Sequence, residues 1–312
     1  MHARTLATAL VLLADSPVLH AQPCPHHLLV SGYFSDNVAI YDACSGAFLR
    51  QLEHEGRIEG AQAVRHNPRD DLVYVVSEGN DQVQRYRRDD GYAFVDVFAQ
   101  LPADFDPTGV AFGAGGEVFV AGYGSSSVVE LDAASGEVVA TVLPPDSGLL
   151  GADNGMMVSA AGLLYVPGYD TDSVARVDPA SGEVDATFIA SGSAGLIETR
   201  GIVDEGDTIL VGGEGSGAVY RFDAATGQLV DTLLTGLVRP TGLALDGDGS
   251  LLVLWGNRVQ RYDRITGAPL GVLANGADGG ISGGTFIALV PSPAFDAVFR
   301  DGFEPAPPLA TR

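Results

Sequence analysis

Leu131-Asp132-Ala133-Ala134-Ser135-Gly136 returns with small variations along the whole chain. Its companions are Tyr41-Asp42-Ala43-Cys44-Ser45-Gly46, Val177-Asp178-Pro179-Ala180-Ser181-Gly182, Phe222-Asp223-Ala224-Ala225-Thr226-Gly227 and Tyr262-Asp263-Arg264-Ile265-Thr266-Gly267. A degraded copy, Tyr86-Arg87-Arg88-Asp89-Asp90-Gly91, fills the one gap. From Tyr41 onward the successive spacings are 45, 45, 46, 45 and 40 residues. A fixed period of that size marks a propeller or a solenoid. The repeated aspartates are too regular to be catalytic. Each precedes a Ser/Thr-Gly turn, where a carboxylate can accept backbone N–H groups.

Within a repeat the apolar pattern is that of short strands. In the third repeat Thr108–Phe112, Glu117–Ala121, Ser127–Asp132 and Glu137–Val142 are β-branched or aromatic runs separated by Gly, Asp and Ser. Four antiparallel strands at this period form one propeller blade. The chain enters on a second-strand sequence, His27-Leu28-Leu29-Val30, and leaves on a first-strand sequence, Gly284-Thr285-Phe286-Ile287-Ala288-Leu289-Val290. The expectation is therefore all-β: six four-stranded blades, the first completed by the C-terminal strand so that exposed edges are paired. Six inner-strand starts are read at Gly60, Gly109, Gly155, Gly201, Gly242 and Gly284.

Asp106-Pro107-Thr108-Gly109-Val110-Ala111-Phe112, followed by Gly116-Glu117-Val118-Phe119-Val120-Ala121, resembles the NHL repeat. Arg239-Pro240-Thr241-Gly242-Leu243-Ala244-Leu245, followed by Asp248-Gly249-Ser250-Leu251-Leu252-Val253, is similar to it as well. The other four repeats lack the proline before glycine. The resemblance implies a six-bladed fold over residues 27–290, in a superfamily architecture that includes gluconolactonase-like metal hydrolases. It does not choose between a binder and an enzyme.

The bulk properties exclude more than they identify. A chain of 312 residues can form one closed all-β domain, and 46% hydrophobic residues suffice for its core. A formal charge of −23 argues against nucleic acid and against anionic membrane surfaces. Residues 1–21 read as an export signal: Arg4, an apolar run Leu6–Leu13 too short to span a bilayer, then Val18-Leu19-His20-Ala21. The expected location is periplasmic or extracellular. In an exported protein the pair Cys24 and Cys44 is most simply a disulfide. The propeller is expected over 22–293 and a tail over 294–312. Val298-Phe299-Arg300-Asp301-Gly302-Phe303-Glu304 in that tail resembles a short C-terminal motif of exported Gram-negative proteins.

Ligands of propellers usually sit at the channel mouth, where the inner strands begin. The residues flanking the inner-strand glycines are thus the candidates: Glu59, Thr108, Asp153, Asn154, Arg200, Thr241 and Thr285. Glu59, Asp153 and Asn154 offer the oxygen ligands that Ca²⁺ or another divalent cation prefers. The gluconolactonase-like and paraoxonase-like likeness implies such a metal, but Arg200 and Thr241 depart from its pattern. No Ser-His-acid set, Gly-x-Ser-x-Gly elbow or phosphate loop is present, and histidines end at His66. Trp255 is the sole tryptophan, unlike quinone-dependent propellers with recurrent Trp motifs. No catalytic residue and no cofactor is identified. The expected role is a monomeric scaffold that binds a protein, a glycan or a small molecule; a metal-dependent lactonase is the alternative.

Overall fold

The structure is a computed structural model that describes residues 23–52 and 55–296. The proposed signal segment, His54 and most of the tail lie outside the described residues.

Every described blade is a four-stranded antiparallel sheet. The chain first lays down β1 (His26–Gly32), β2 (Asn37–Asp42) and β3 (Phe48–Gln51) of blade 1. Blade 2 is β4 (Ala61–Asn67), β5 (Leu72–Ser77), β6 (Gln82–Arg87) and β7 (Ala93–Gln100). Blade 3 is β8 (Pro107–Phe112), β9 (Val118–Gly122), β10 (Ser127–Leu131) and β11 (Val138–Leu143). Blade 4 is β12 (Met157–Val158), β13 (Leu164–Gly168), β14 (Ser173–Asp178) and β15 (Glu183–Ile189). Blade 5 is β16 (Thr199–Asp204), β17 (Thr208–Gly213), β18 (Ala218–Asp223) and β19 (Leu229–Leu234). Blade 6 is β20 (Pro240–Leu245), β21 (Leu251–Trp255), β22 (Arg258–Tyr262) and β23 (Pro269–Asn275). Finally β24 (Gly284–Pro291) pairs with β1, from His26 opposite Pro291 to Gly32 opposite Gly284.

The inner strands neighbour one another around a central channel, β24 beside β4 and β20, and β4 beside β8. The second strand of each blade is buried on both faces because it is flanked by two other blades. Val73–Val76 and Val118–Ala121 are therefore continuous apolar runs and not alternating ones. Aromatic edges lock adjacent blades: the Tyr74 ring meets Phe112 of blade 3 edge-on at 4.9 Å. The outermost strands face solvent, and β3 is exposed throughout.

The repeated landmark is a turn that also fits one blade to the next. Asp132 Oδ1 accepts from Ala134 N (3.1 Å), Ser135 N (2.8 Å) and Ser135 Oγ (3.0 Å). Asp223 and Asp263 repeat this with Thr226 and Thr266. The glycine that ends the turn has φ of 74° at Gly136 and 69° at Gly227, which excludes most side chains. A Cβ there would lie 1.9 Å from the carbonyl oxygen of Phe98 or of Phe188 on the preceding blade. At these two positions the glycine is required twice over, by conformation and by close approach, whereas at Gly182 (φ 76°) a Cβ would meet nothing within 4 Å and conformation alone requires it.

Where the landmark degenerates, another device appears. Arg88 is buried and donates to both oxygens of Asp71 (2.7 and 2.9 Å), to Asp296 Oδ2 (2.7 Å) and to the Pro291 carbonyl (2.8 Å). It ties blade 2 to the segment that follows β24. Cys24 and Cys44 form a disulfide with Cα atoms 5.7 Å apart, fastening the strand entry to the first landmark turn. A closed loop of this length stabilises by about 3 kcal/mol. No helix among the described residues is long and apolar enough to cross a membrane.

Candidate functional site

A cavity of about 730 Å³ opens at one mouth of the channel. Its walls follow from the repeat. Just before each inner strand, and in blade 4 just before the isolated bridge of Ala152 to Gly168 that leads to β12, the backbone takes a left-handed residue: Gly60 (φ 63°), Asp106 (49°), Gly151 (66°), Glu198 (55°), Arg239 (51°) and Gly283 (63°). Two residues further on, Gln62, Thr108, Asp153, Arg200, Thr241 and Thr285 all face the cavity and make its floor. A second ring comes from the residue that follows each second strand: Tyr33, Glu78, Tyr123, Tyr169, Glu214 and Gly256. These six form the rim, with Phe34 exposed beside them at 76%.

This register corrects the sequence-based alignment in blade 2. Gly60 is the left-handed residue and not the counterpart of Gly109. The glycine match therefore points three residues too early, at Glu59, whose side chain is exposed and is not among the cavity-lining residues. Its backbone N donates to Ser77 Oγ at 2.8 Å. The channel position of blade 2 belongs to Gln62.

The three floor threonines are blade-to-blade ties. Thr108 Oγ1 donates to Ala152 O (2.8 Å), Thr241 Oγ1 to Gly284 O (2.9 Å) and Thr285 Oγ1 to Ala61 O (2.8 Å), each on the next blade. Their hydroxyls are buried and satisfied, so they shape the floor.

The charged part of the floor is a chain of pairs. Arg200 Nε donates to Asp153 Oδ2 at 2.7 Å, and Arg200 Nη1 lies 3.1 Å from Glu214 Oε2. The second contact has ion-pair distance without hydrogen-bond geometry, since Glu214 Oε2 makes no hydrogen bond. Arg239, more exposed, pairs with the other oxygen of Glu214. Asp153 is 1% exposed and Glu214 3%. Burial alone would lower the affinity of Arg200 for its proton, but the Asp153 and Glu214 carboxylates outweigh it and raise it. The guanidinium also lies over the Tyr169 ring at 5.3 Å.

Glu78 is the carboxylate left over. It accepts from Gln62 and from the Tyr33 hydroxyl (3.4 Å), with no cation within ion-pair distance among the described residues. Burial pushes its carboxyl above the ordinary range, and the Asp153 and Asp106 charges add to that.

Asn154 crosses the channel. Its Nδ2 donates to Gln62 Oε1 of blade 2 (2.9 Å) and to Thr285 O of blade 1 (3.3 Å), while its Oδ1 is buried without a partner. It can do so because β12 is only two residues long, and Gly155 lets the segment press against the Arg200 carbonyl. A Cβ at Gly155 would stand 2.0 Å from that oxygen.

The metal reading fares accordingly. Asp153 gives one oxygen to Arg200 and the other to the Asn154 backbone N (2.6 Å), Asn154 turns its amide N–H toward Gln62, and Glu59 is elsewhere. A guanidinium already holds the place where a divalent ion would use Asp153, so these residues do not fit one. Among the described residues, the one group of three potential ligand atoms within 4.8 Å of one another is Cys24, Asp42 and Cys44, the disulfide corner.

Residue-type reasoning missed Gln62, Glu78, Glu214 and the rim tyrosines. The signal lay in the spacing: Tyr33, Glu78, Tyr123, Tyr169 and Glu214 recur at the 45-residue period, but with changing chemistry that no motif captures.

Residues 104–242, blades 3 to 5, match a family profile described as outer membrane protein assembly factor BamB. That is less than half of the chain. No curated protein matches significantly. Among solved structures, the chain is similar to a protein of unknown function from Bacteroides caccae, at 15% identity and a TM-score of 0.67, covering 85% of this chain and 99% of that one. It is similar to a chain of a nidogen/laminin complex at 13% identity and a TM-score of 0.70, covering 86% and 99%. A catalytically inactive virginiamycin B lyase from Staphylococcus aureus with quinupristin aligns at 11% identity and a TM-score of 0.59, covering 80% and 85%. These neighbours share the propeller architecture and differ in function, so the likeness is one of fold.

Proposed function

We propose that this protein is an exported, non-enzymatic binding propeller whose tyrosine-rimmed channel mouth takes a small organic cation. One observation carries the reading: three tyrosines and two glutamates share a rim whose floor cation, Arg200, is already paired. Glu78 is the acid free to receive a charge. Aromatic faces beside an acid favour an ammonium or quaternary ammonium group over a neutral group of equal shape. Two supports for export are the disulfide, which persists in oxidising compartments, and the signal-like leader.

Choline and its uncharged isostere 3,3-dimethyl-1-butanol test this by calorimetry. Choline should bind saturably, bind at least tenfold tighter than the alcohol, and lose affinity in Glu78→Gln and Tyr169→Ala. Equal binding of the two, or none, would sink the proposal.

A further inference from the structure

The opposite mouth of the channel holds a second cavity, of about 810 Å³. It is lined by the far ends of all six inner strands and shares no lining residue with the first. Most half-buried side chains on its wall are apolar (Phe112, Val158, Val203, Leu245, Ala288 and Leu289), and the polar ones are Arg65, His66 and Ser159. Its basic lining residues are Arg65, His66 and Arg69, and no carboxylate lines it. His66 is paired with Asp71 at 2.8 Å, and Arg69 reaches the Gly115 carbonyl.

Arg65 is different. Its hydrogen bond among the described residues runs from Nη2 to the Met156 carbonyl, at 2.8 Å. Its guanidinium lies over the Phe286 ring at 4.8 Å, and its Nε is buried without a partner. No carboxylate of the described residues forms an ion pair with it, and burial alone weakens its hold on the proton, to a pKa of about 10. Burying a cation without a counterion is unfavourable unless something else compensates it. In a chain of charge −23, forty carboxylates were available to pair with it, and none of the described ones does.

We propose that this mouth is a binding site for an amphipathic monocarboxylate, its head group on Arg65 and its alkyl body against the apolar wall. A carboxylate would meet the Arg65 guanidinium, which no carboxylate of the described residues pairs, in the fork geometry that Arg offers. The apolar wall would bury the chain behind it, adding affinity in proportion to the area removed from water. The site does not depend on the cation-binding mouth, since Asn154 and its neighbours lie between the two.

The test uses the full chain and three probes with ten-carbon chains, below their aggregation limits: decanoate, 1-decanol and decyltrimethylammonium. Decanoate should bind at one per chain and at least tenfold tighter than either comparator. Arg65→Met should erase that preference while the melting temperature holds or rises, and Arg65→Lys should retain part of it. Decanoate binding no tighter than decanol, or unchanged affinity in Arg65→Met, would overturn the proposal. A fall in the melting temperature of Arg65→Met with no decanoate binding to the parent would also overturn it, because an acid of the chain itself would then be the partner of Arg65.

Discussion

The two mouths of the channel solve the burial of an arginine in opposite ways. At one, Arg200 is held between Asp153 and Glu214 and supported by Tyr169. At the other, Arg65 has a carbonyl and a ring and no acid among the described residues. Both sit on inner strands of one repeating scaffold. A buried charge with its partners in place is part of the structure, whereas a buried charge without one is open to a ligand. The same residue type therefore reads as architecture on one face and as a site on the other.

The sharpest way to break the comparison is to remove each cation. Arg200→Met leaves Asp153 and Glu214 buried and uncompensated, and should cost about 3–5 kcal/mol in urea unfolding. Arg65→Met removes a charge without orphaning another and should be neutral or stabilising. Equal losses from the two substitutions would show that Arg65 has a structural counterion after all.

Asn154→Ala addresses what keeps the mouths apart. It removes two hydrogen bonds across the channel, one of them to the Gln62 side chain, and should cost about 1–3 kcal/mol. It should also let choline and decanoate interfere with each other's binding, where in the parent they bind independently.

A smaller effect separates acids by environment. Glu78 is held above the ordinary carboxyl range when folded, so the native state binds a proton that the unfolded chain has released. Stability should fall as pH rises through that window, and Glu78→Gln should abolish this limb and raise the melting temperature near neutrality. The landmark aspartates Asp132, Asp178, Asp223 and Asp263 behave oppositely. Hydrogen bonds from their turns hold their carboxyls below the usual range, so their contribution is present above the unfolded pKa and lost as pH falls through the folded one. Melting curves from pH 2 to 8 on Glu78→Gln and Asp132→Asn would resolve the two limbs.

Metal should do least of all. Because Arg200 occupies the only cation position that Asp153 offers, millimolar Ca²⁺, Mn²⁺ or a chelator should leave the melting temperature unmoved. A rise with either ion would reinstate a metal at this mouth.

Much of this molecule was legible in the chain. The Asp-x-x-Ser/Thr-Gly period announces the propeller because turn chemistry is local: one aspartate, two N–H groups, one hydroxyl and one left-handed glycine suffice. The strand runs follow for the same reason. The candidate site was half legible. Thr108, Arg200 and Thr241 come from inner-strand starts that keep their glycine, and Asp153 and Thr285 were caught as neighbours of Gly155 and Gly284, whereas Gln62 was hidden because Gly60 serves another backbone position in its blade. Glu78, Glu214 and the tyrosines keep the period but not the chemistry, so only their convergence marks them.

Local sequence by itself determined the repeat, the turns and the strands. Tertiary structure alone decided which charges meet. Asp153, Arg200 and Glu214 stand on three separate segments of blades 4 and 5, and Asn154 meets Gln62 and Thr285 from across the channel. Pairing energy depends on distance and burial in three dimensions, and a linear period carries neither. That is also why two arginines, both on inner strands, end as a structural tie in one case and a cation without an acid partner among the described residues in the other.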